Sequence, residues 1–384
     1  MVAFYLFSCS GSKENSPGTE NPAISASMVS AVEQPETTLD ESALTKASKI
    51  DKLCNSLVNS KQFNGCVLIS ENNKIIYKNC KGYSDFKNKI ELTDSSAFHL
   101  ASVSKQFTAM AIMLLYEEGK LSYDDDVQKW LPELPYEGIT VRHLLLHTSG
   151  VPNILNYVPY YITFWDSCEM ARNHDLVEIY KNKKPRRQGK PGSRFSYNNS
   201  GYVLLALIVE RISGMSFKEF VEQRIFTPLQ MTHSFVIDVE KEAANKVKCY
   251  GPYRRGGYAP DDNDVRNGFT GEKGIYCSAI DLYKWDQALT NHRLVKKETL
   301  EEAFSNGRLS NGKEIPYGFG WRKSRKNKNL IYHFGHWRGA KTCIIRFPEQ
   351  NNCIIILNNT SSSRIKSLAM SIAKVLNNGG AVEL

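Results

Sequence analysis

The 384-residue chain contains no apolar run of the roughly 18–20 residues that a membrane-spanning helix needs, which argues against a polytopic helical membrane protein. No internal repeat is visible, and the composition is neither collagen-like nor that of a disordered chain. The nine cysteines form no CxxC pair and show no metal-ligand spacing. No HExxH is present either, so His143 and His147, four apart on a predicted helix, read as structural rather than as zinc ligands. What is present is 41% hydrophobic, 23% charged and 11% aromatic residues. That suffices for one large domain or two smaller ones, with a core that needs no disulfide staple.

The net charge of +9, from 49 Lys plus Arg against 40 Asp plus Glu, is partly local. One basic run extends from Lys181 to Arg194 and a second from Arg322 to Lys328. Such runs attract anions or are simply solvated loops. No RNP, zinc-finger or helix-turn-helix signature accompanies them, so nucleic acid is a poor partner. Cys66, Cys343 and Cys353 sit in Val/Ile-rich runs and read as small buried core residues. Cys9 closes Leu6-Phe7-Ser8-Cys9, which resembles a bacterial lipoprotein processing box. The stretch before it is short and lacks a positive n-region, as a signal whose start is truncated would be; the alternative is an ordinary frayed terminus. Residues 1–9 are therefore expected to be the end of a lipoprotein-type signal. A lipidated Cys9 would attach the protein to a membrane, as a periplasmic or outer-membrane lipoprotein.

Residues 10–45, rich in Ser, Glu, Pro, Ala and Thr, read as a flexible tether, and residues 46–384 as a single catalytic domain. Gly65–Ser70 and Lys74–Lys78 form a predicted hairpin about Glu71-Asn72-Asn73. A helix is predicted from near Ser102 to Gly119, with Phe107, Ala111, Leu114 and Leu115 as its apolar stripe. Helices follow over Tyr202–Ile212 and Phe217–Ile225. Strands return at Ile331–Phe334, Lys341–Phe347 and Cys353–Leu357, before a last amphipathic helix over Arg364–Leu376. Strands at both ends with helices between them predict an α/β (α+β) fold. Its antiparallel sheet is built from the N- and C-terminal segments and flanked by helices, with an inserted, mostly helical lobe. A cleft between sheet and lobe is the expected site.

Ser102-Val103-Ser104-Lys105 fits S-x-x-K, which places a lysine one helical turn after a serine. The pattern also occurs at Ser10, Ser84, Ser310, Ser363 and Ser371, so alone it says little. Ser102 differs in opening an apolar helix, where free N–H groups and the helix dipole favour an anion. The bland reading is that Ser102 merely caps the helix. Context argues otherwise. The segment His99–Ala109 resembles the nucleophile segment of the serine β-lactamase-related family, which includes class C β-lactamases, D-Ala-D-Ala peptidases, D-aminopeptidases and esterases. Val141–Gly150 is similar to that family's helix-and-turn segment. Pro191-Gly192 precedes Tyr197-Asn198-Asn199, similar to its Y-x-N motif. Pro228-Leu229-Gln230-Met231 is similar to its P-L-G-M, with Gln in place of Gly. His333-Phe334-Gly335, the only H-x-G in the chain, stands at its third motif and is followed by Gly339. The resemblance runs from about residue 50 to 375 and implies a β-lactamase/transpeptidase-like fold.

The resemblance implies Ser102 as nucleophile, Lys105 as its base and Tyr197 as proton carrier to the leaving group. A serine hydroxyl needs such a base, and a lysine can serve only when burial or neighbouring positive charge loosens its proton. Asn199 would hold Lys105 and bind the acyl side of the substrate. The N–H groups of Ser102 and of His336, the residue after Gly335, would form the oxyanion hole. His333 stands where the penicillin-binding type has lysine, and an ordinary histidine is cationic only below about pH 6.5. That places β-lactam and D-Ala-D-Ala turnover in doubt and favours an esterase or D-aminopeptidase-like branch. Arg338 is a further cation for a substrate carboxylate. Tyr157, Tyr160, Tyr161, Phe164 and Trp165 either pack the lobe or form an apolar wall for a bulky acceptor, sterol-like ones included. The expected activity is hydrolysis of small ester, amide or peptide substrates through an acyl-enzyme, without cofactor or metal. The alternatives are acyl transfer to an alcohol or amine, and an acylable sensor or binding module.

Overall fold

The computed structural model describes residues 39–156, 170–380 and 382–384. The expected signal, most of the expected tether and the segment bearing Tyr157, Tyr160, Tyr161, Phe164 and Trp165 lie outside the described residues.

The first element is helix α1 (Glu41–Asn59), which begins where the Asp40 carboxylate accepts the N–H of Ala43 at 2.7 Å. Residues 41–45 are therefore helix and not tether. Aspartate before a run that places Ala43, Ile50 and Cys54 on one buried face was the available signal. The hairpin follows as β1 (Gly65–Glu71) and β2 (Lys74–Lys81). After the helical middle come β3 (Arg322–Lys323), β4 (Ile331–Trp337), β5 (Ala340–Phe347) and β6 (Asn352–Asn358). The six strands form one antiparallel sheet in the order β3-β4-β5-β6-β1-β2. Gly65 pairs with Asn358, so the first strand closes against the last, as the sequence pattern predicts.

Period-two side-chain alternation gives the sheet two buried faces. Val67, Ile69, Ile345, Ile354 and Ile356 pack against α1 and the final helix, α9 (Ile365–Leu376). Cys66, Leu68, Ile344, Ile355 and Leu357 face the lobe. The lobe holds α2 (Lys105–Glu117), α3 (Val141–Leu145), α4 (Asn173–Lys183) and α5 (Asn199–Ser213). Three more helices follow, α6 (Phe217–Val221), α7 (Ala279–Thr290) and α8 (Lys297–Phe304). A three-stranded sheet with Ile275–Cys277 between Phe98–His99 and Phe235–Val236 joins the start of the lobe to its end. Helix α2 is buried on every side from Lys105 to Leu115, so the expected stripe is a central core helix.

Cys66 departs from expectation. It is buried, but it is bonded to Cys80, its direct partner across β1 and β2. The staple was hidden because Cys80 sits outside any apolar run. Cys343 and Cys353 are free and buried, as expected. Gln230, where the family usually has glycine, adopts φ 54°, the left-handed conformation that explains the usual glycine.

Candidate active site

Ser102 lies in a 3₁₀ turn, Ala101–Ser104, that leads into α2. The residue before it, Ala101, has φ 50°, a conformation rare for a residue with a Cβ. Its N–H is held by His99 Nδ1 at 2.9 Å. Strand β4 braces the turn from the other side. A Cβ on Gly335 would stand 2.2 Å from Leu100 O and from Thr342 Oγ1, so only glycine lets the strand come this close. No side chain caps either helix start, and Ser102 Oγ instead accepts from Lys105 Nζ at 3.3 Å. The capping role is excluded by this geometry.

Lys105 is fully buried and Nζ has three acceptors: Ser102 Oγ, Asn199 Oδ1 at 2.8 Å and Glu272 O at 2.8 Å. Asn199 is the first residue of α5, whose N-cap is Asn198. Glu272 belongs to a loop pressed between α2 and α5. Thr108 Oγ1 donates to Gly271 O at 2.6 Å, and a Cβ on Gly271 would meet Tyr202 O at 2.6 Å. Tyr197 precedes the N-cap of α5. Its ring centroid lies 5.0 Å from Lys105 Nζ, and its hydroxyl is buried with no hydrogen-bond partner among the described residues. Ser102, Lys105, Tyr197 and Asn199 thus converge from elements almost 100 residues apart, as the motif reading expects.

The remaining expected residues fall differently. His333 is buried at 1% exposure and both ring nitrogens are taken. Nδ1 meets Phe334 O at 2.8 Å, and Nε2 meets the Tyr317 hydroxyl at 3.3 Å. That hydroxyl also meets His147 Nε2 at 3.0 Å, while His147 Nδ1 accepts the Asn198 N–H at 3.1 Å. One set of tautomers satisfies the chain: His147 donates to Tyr317, Tyr317 donates to His333, and His333 donates to Phe334 O. Burial, aided by nearby Arg322 and Lys105, holds His333 well below the usual histidine range, and burial does the same for His147. His333 is therefore a neutral strut behind Tyr197 and not the substrate's cation. His143 caps α3 through Thr140, as a structural residue. Gly335 braces the nucleophile turn, and His336 is exposed on β4 just beyond it. Arg338 is paired with Asp261 at 3.1 Å and Asp264 at 3.8 Å, so it is not a free cation. Trp165 lies outside the described residues.

A cation that does stand beside Tyr197 is Arg322, on the edge strand β3. Its guanidinium lies 5.0 Å from the Tyr197 ring centroid and 5.8 Å from that of Tyr317, and it makes no ion pair among the described residues. Arg322 was visible only as one member of a basic run.

Three buried histidines give a stability test. Burial lowers His99 to about 3, and His147 and His333 lie well below 6.5. Unfolded, each takes a proton near pH 6.5 that the folded protein refuses, so the unfolded state binds more protons and stability rises with pH. Stability should be level above about pH 7 and fall from about 6.5 downward, by up to roughly 4 kcal/mol per pH unit for three groups. Urea midpoints between pH 7.5 and 5 measure this, and a flat profile would contradict the neutral assignment.

The beta-lactamase family model matches residues 50–376. The chain is 37% identical over 329 residues to penicillin-binding protein 4* of Bacillus subtilis (strain 168), spanning 82% of this chain and 72% of that protein. The solved penicillin binding protein from Bacillus halodurans superposes with a TM-score of 0.72 at 25% identity, covering 84% of this chain and 98% of that one. EstCE1, a hydrolase with promiscuous acyltransferase activity, gives a TM-score of 0.72 at 20% identity over 89% of this chain and 100% of that one, a likeness of fold. The chain belongs to the beta-lactamase family, whose members are serine hydrolases.

Proposed function

We propose that the protein is an exported acyl hydrolase that cleaves carboxylate-bearing ester, amide or peptide substrates through an acyl-enzyme on Ser102. The observation that carries this reading is Lys105 Nζ bound to both Ser102 Oγ and Asn199 Oδ1, with Arg322, which has no ion-pair partner among the described residues, across the Tyr197 ring. The three acceptors of Nζ match the three N–H bonds of an ammonium, so Lys105 takes the serine proton only after passing one on. Tyr197, whose hydroxyl has no hydrogen-bond partner among the described residues, is placed to give its own proton to the leaving group and to take in exchange the one that Lys105 passes on. Ser102 Oγ bonds to the acyl carbon and the leaving group departs with the Tyr197 proton. Water then attacks the acyl carbon, the bond to Ser102 Oγ breaks as the acid is released, and the pair carries the water's proton to Ser102 Oγ.

The doubt about β-lactams rested on His333 as a pH-dependent cation. On the present reading Arg322, whose guanidinium stays charged, takes the substrate carboxylate in place of His333. Acyl transfer would use the same intermediate with an alcohol or amine in place of water. The segment expected to bind such an acceptor lies outside the described residues. The Cys66–Cys80 disulfide supports an oxidising compartment, in keeping with the lipoprotein-like Cys9 segment.

Two p-nitrophenyl esters, a hydrogen succinate and a neutral butyrate, test the reading. Arg322→Met should lower kcat/KM about 10–100-fold for the first, the worth of a charge-assisted hydrogen bond, and under about 3-fold for the second. Equal losses on both would remove Arg322 from substrate recognition.

A further inference from the structure

Behind Lys105 lies a second buried charge pair that the reaction does not use directly. Glu272 and Lys273 are adjacent, and their side chains are 5% and 1% exposed. Glu272 Oε1 accepts from Lys273 Nζ at 2.6 Å, while Oε2 lies 3.8 Å from Lys105 Nζ. One carboxylate is thus shared between two buried lysines. Lys273 is closed in by the Trp337 ring, 4.6 Å from its Nζ, and the Phe269 ring at 5.5 Å. Arg266 covers Trp337 as well, with its guanidinium 4.7 Å from the ring centroid. Trp337 follows His336 on β4, so the pair joins the lysine of the nucleophile turn to the strand that braces it.

An isolated ion pair buried in a core is more often a cost than a gain, and apolar residues of similar volume replace it without loss. Here the pair stands against a lysine whose proton must come and go. The groups facing Lys105 can be taken element by element. Its own turn offers Ser102; the segment before α5 and α5 itself offer Tyr197 and Tyr202; β4 and the end of α3 offer His333 and His147, both neutral. The formal charges near it are Arg322 on β3 and, from the Glu272 loop, one negative and one positive charge.

We infer that Glu272 and Lys273 are positioning residues that set how readily the Lys105–Tyr197 pair gives up its proton, Glu272 tightening it and Lys273 loosening it by competing for the same carboxylate. This rests on Lys105 and Tyr197 acting on Ser102. It has a consequence that a packing role lacks: the two substitutions move the pH profile in opposite directions. Glu272→Gln keeps the shape and the backbone carbonyl that holds Lys105, but removes the negative charge. The pair then loses its proton more easily, and the acid limb of the acylation rate moves to lower pH. Lys273→Met removes the lysine that competes with Lys105 for the carboxylate, with Arg266 remaining as a cation near Glu272, and the limb moves to higher pH. A charge at this distance moves a titration by about 1–3 units, so shifts on the order of one unit are expected. The double variant restores the net charge and should return close to the wild-type limb.

The experiment is the pre-steady-state burst with p-nitrophenyl acetate from pH 5 to 9 on the full chain, for wild type, both single variants and the double. Opposite shifts with a restored double support the inference. No shift, or shifts of the same sign, overturn it. If Lys273→Met does not fold, Lys273→Arg must leave the limb in place and Glu272→Gln must still lower it, and failure of either overturns it as well. A wild-type protein that shows no burst and no Ser102 acylation counts against the proposed function. A wild-type protein that acylates, with unmoved limbs in the variants, counts against Glu272 and Lys273 alone.

Discussion

Replacing Ser102 with alanine should abolish turnover, with a loss approaching about 10⁶ in kcat on an activated ester, the scale seen when a nucleophile of this kind is removed. The change deletes one oxygen atom from a half-buried side chain that caps no helix and whose only hydrogen bond among the described residues is the contact with Lys105. Thermal stability should therefore stay close to wild type, since no core contact or helix cap is lost. Circular dichroism and the urea midpoint establish that the variant is folded; steady-state assay then gives the loss. A folded Ser102→Ala protein with more than about a thousandth of wild-type kcat would mean that the chemistry is carried by another group.

Lys105→Ala and Tyr197→Phe should each lower kcat by about 10²–10⁴, the usual range for a lost general acid or base. The double variant should be scarcely worse than the more severe single one. The reason is geometric. The three acceptors of Lys105 account for all its N–H bonds, and the Tyr197 hydroxyl, without a partner among the described residues, can take a proton from it as it gives its own to the leaving group. Without either group the relay is broken, and the second loss removes nothing further. The two residues also differ in what else they do. Lys105 is completely buried among polar partners, so its alanine variant leaves Asn199 Oδ1 and Glu272 O without a donor and should be less stable as well as inactive. Tyr197→Phe removes only a hydroxyl without partners among the described residues and should keep its stability. Losses that multiply in the double variant would contradict a shared proton path.

Much of this arrangement is legible in the sequence because it is local. Ser102 and Lys105 are one turn apart, Tyr197 and Asn199 are two residues apart, and the strands at both ends announce themselves by Val/Ile-rich runs. Pairing of the first strand with the last follows from that pattern. What escaped is what depends on burial and on distant partners. His333 reads as a cation only while its solvent exposure is unknown; with Tyr317 and Phe334 O on its two nitrogens it is neutral. Arg338 reads as a free cation until Asp261 and Asp264, more than 70 residues earlier, are seen beside it. Arg322 is indistinguishable in sequence from its basic neighbours, and only its place on the edge strand beside Tyr197 singles it out. Glu272 and Lys273 carry a faint signal, two charged residues between Gly271 and Gly274 just before a strand. The contact with Lys105 spans 167 positions, and no spacing rule covers that. Cys80 likewise has nothing around it to mark it as the partner of Cys66.

The central claim is that one serine among six with the same short pattern carries the acyl group. Peptide mapping by mass spectrometry of the wild-type protein, quenched during reaction with a p-nitrophenyl ester, tests it most directly. The account predicts a single acyl adduct, on Ser102, which is absent from Ser102→Ala and accumulates slowly in Lys105→Ala. An adduct on any other residue, or steady ester hydrolysis with no covalent intermediate on Ser102 under rapid quench, would contradict it.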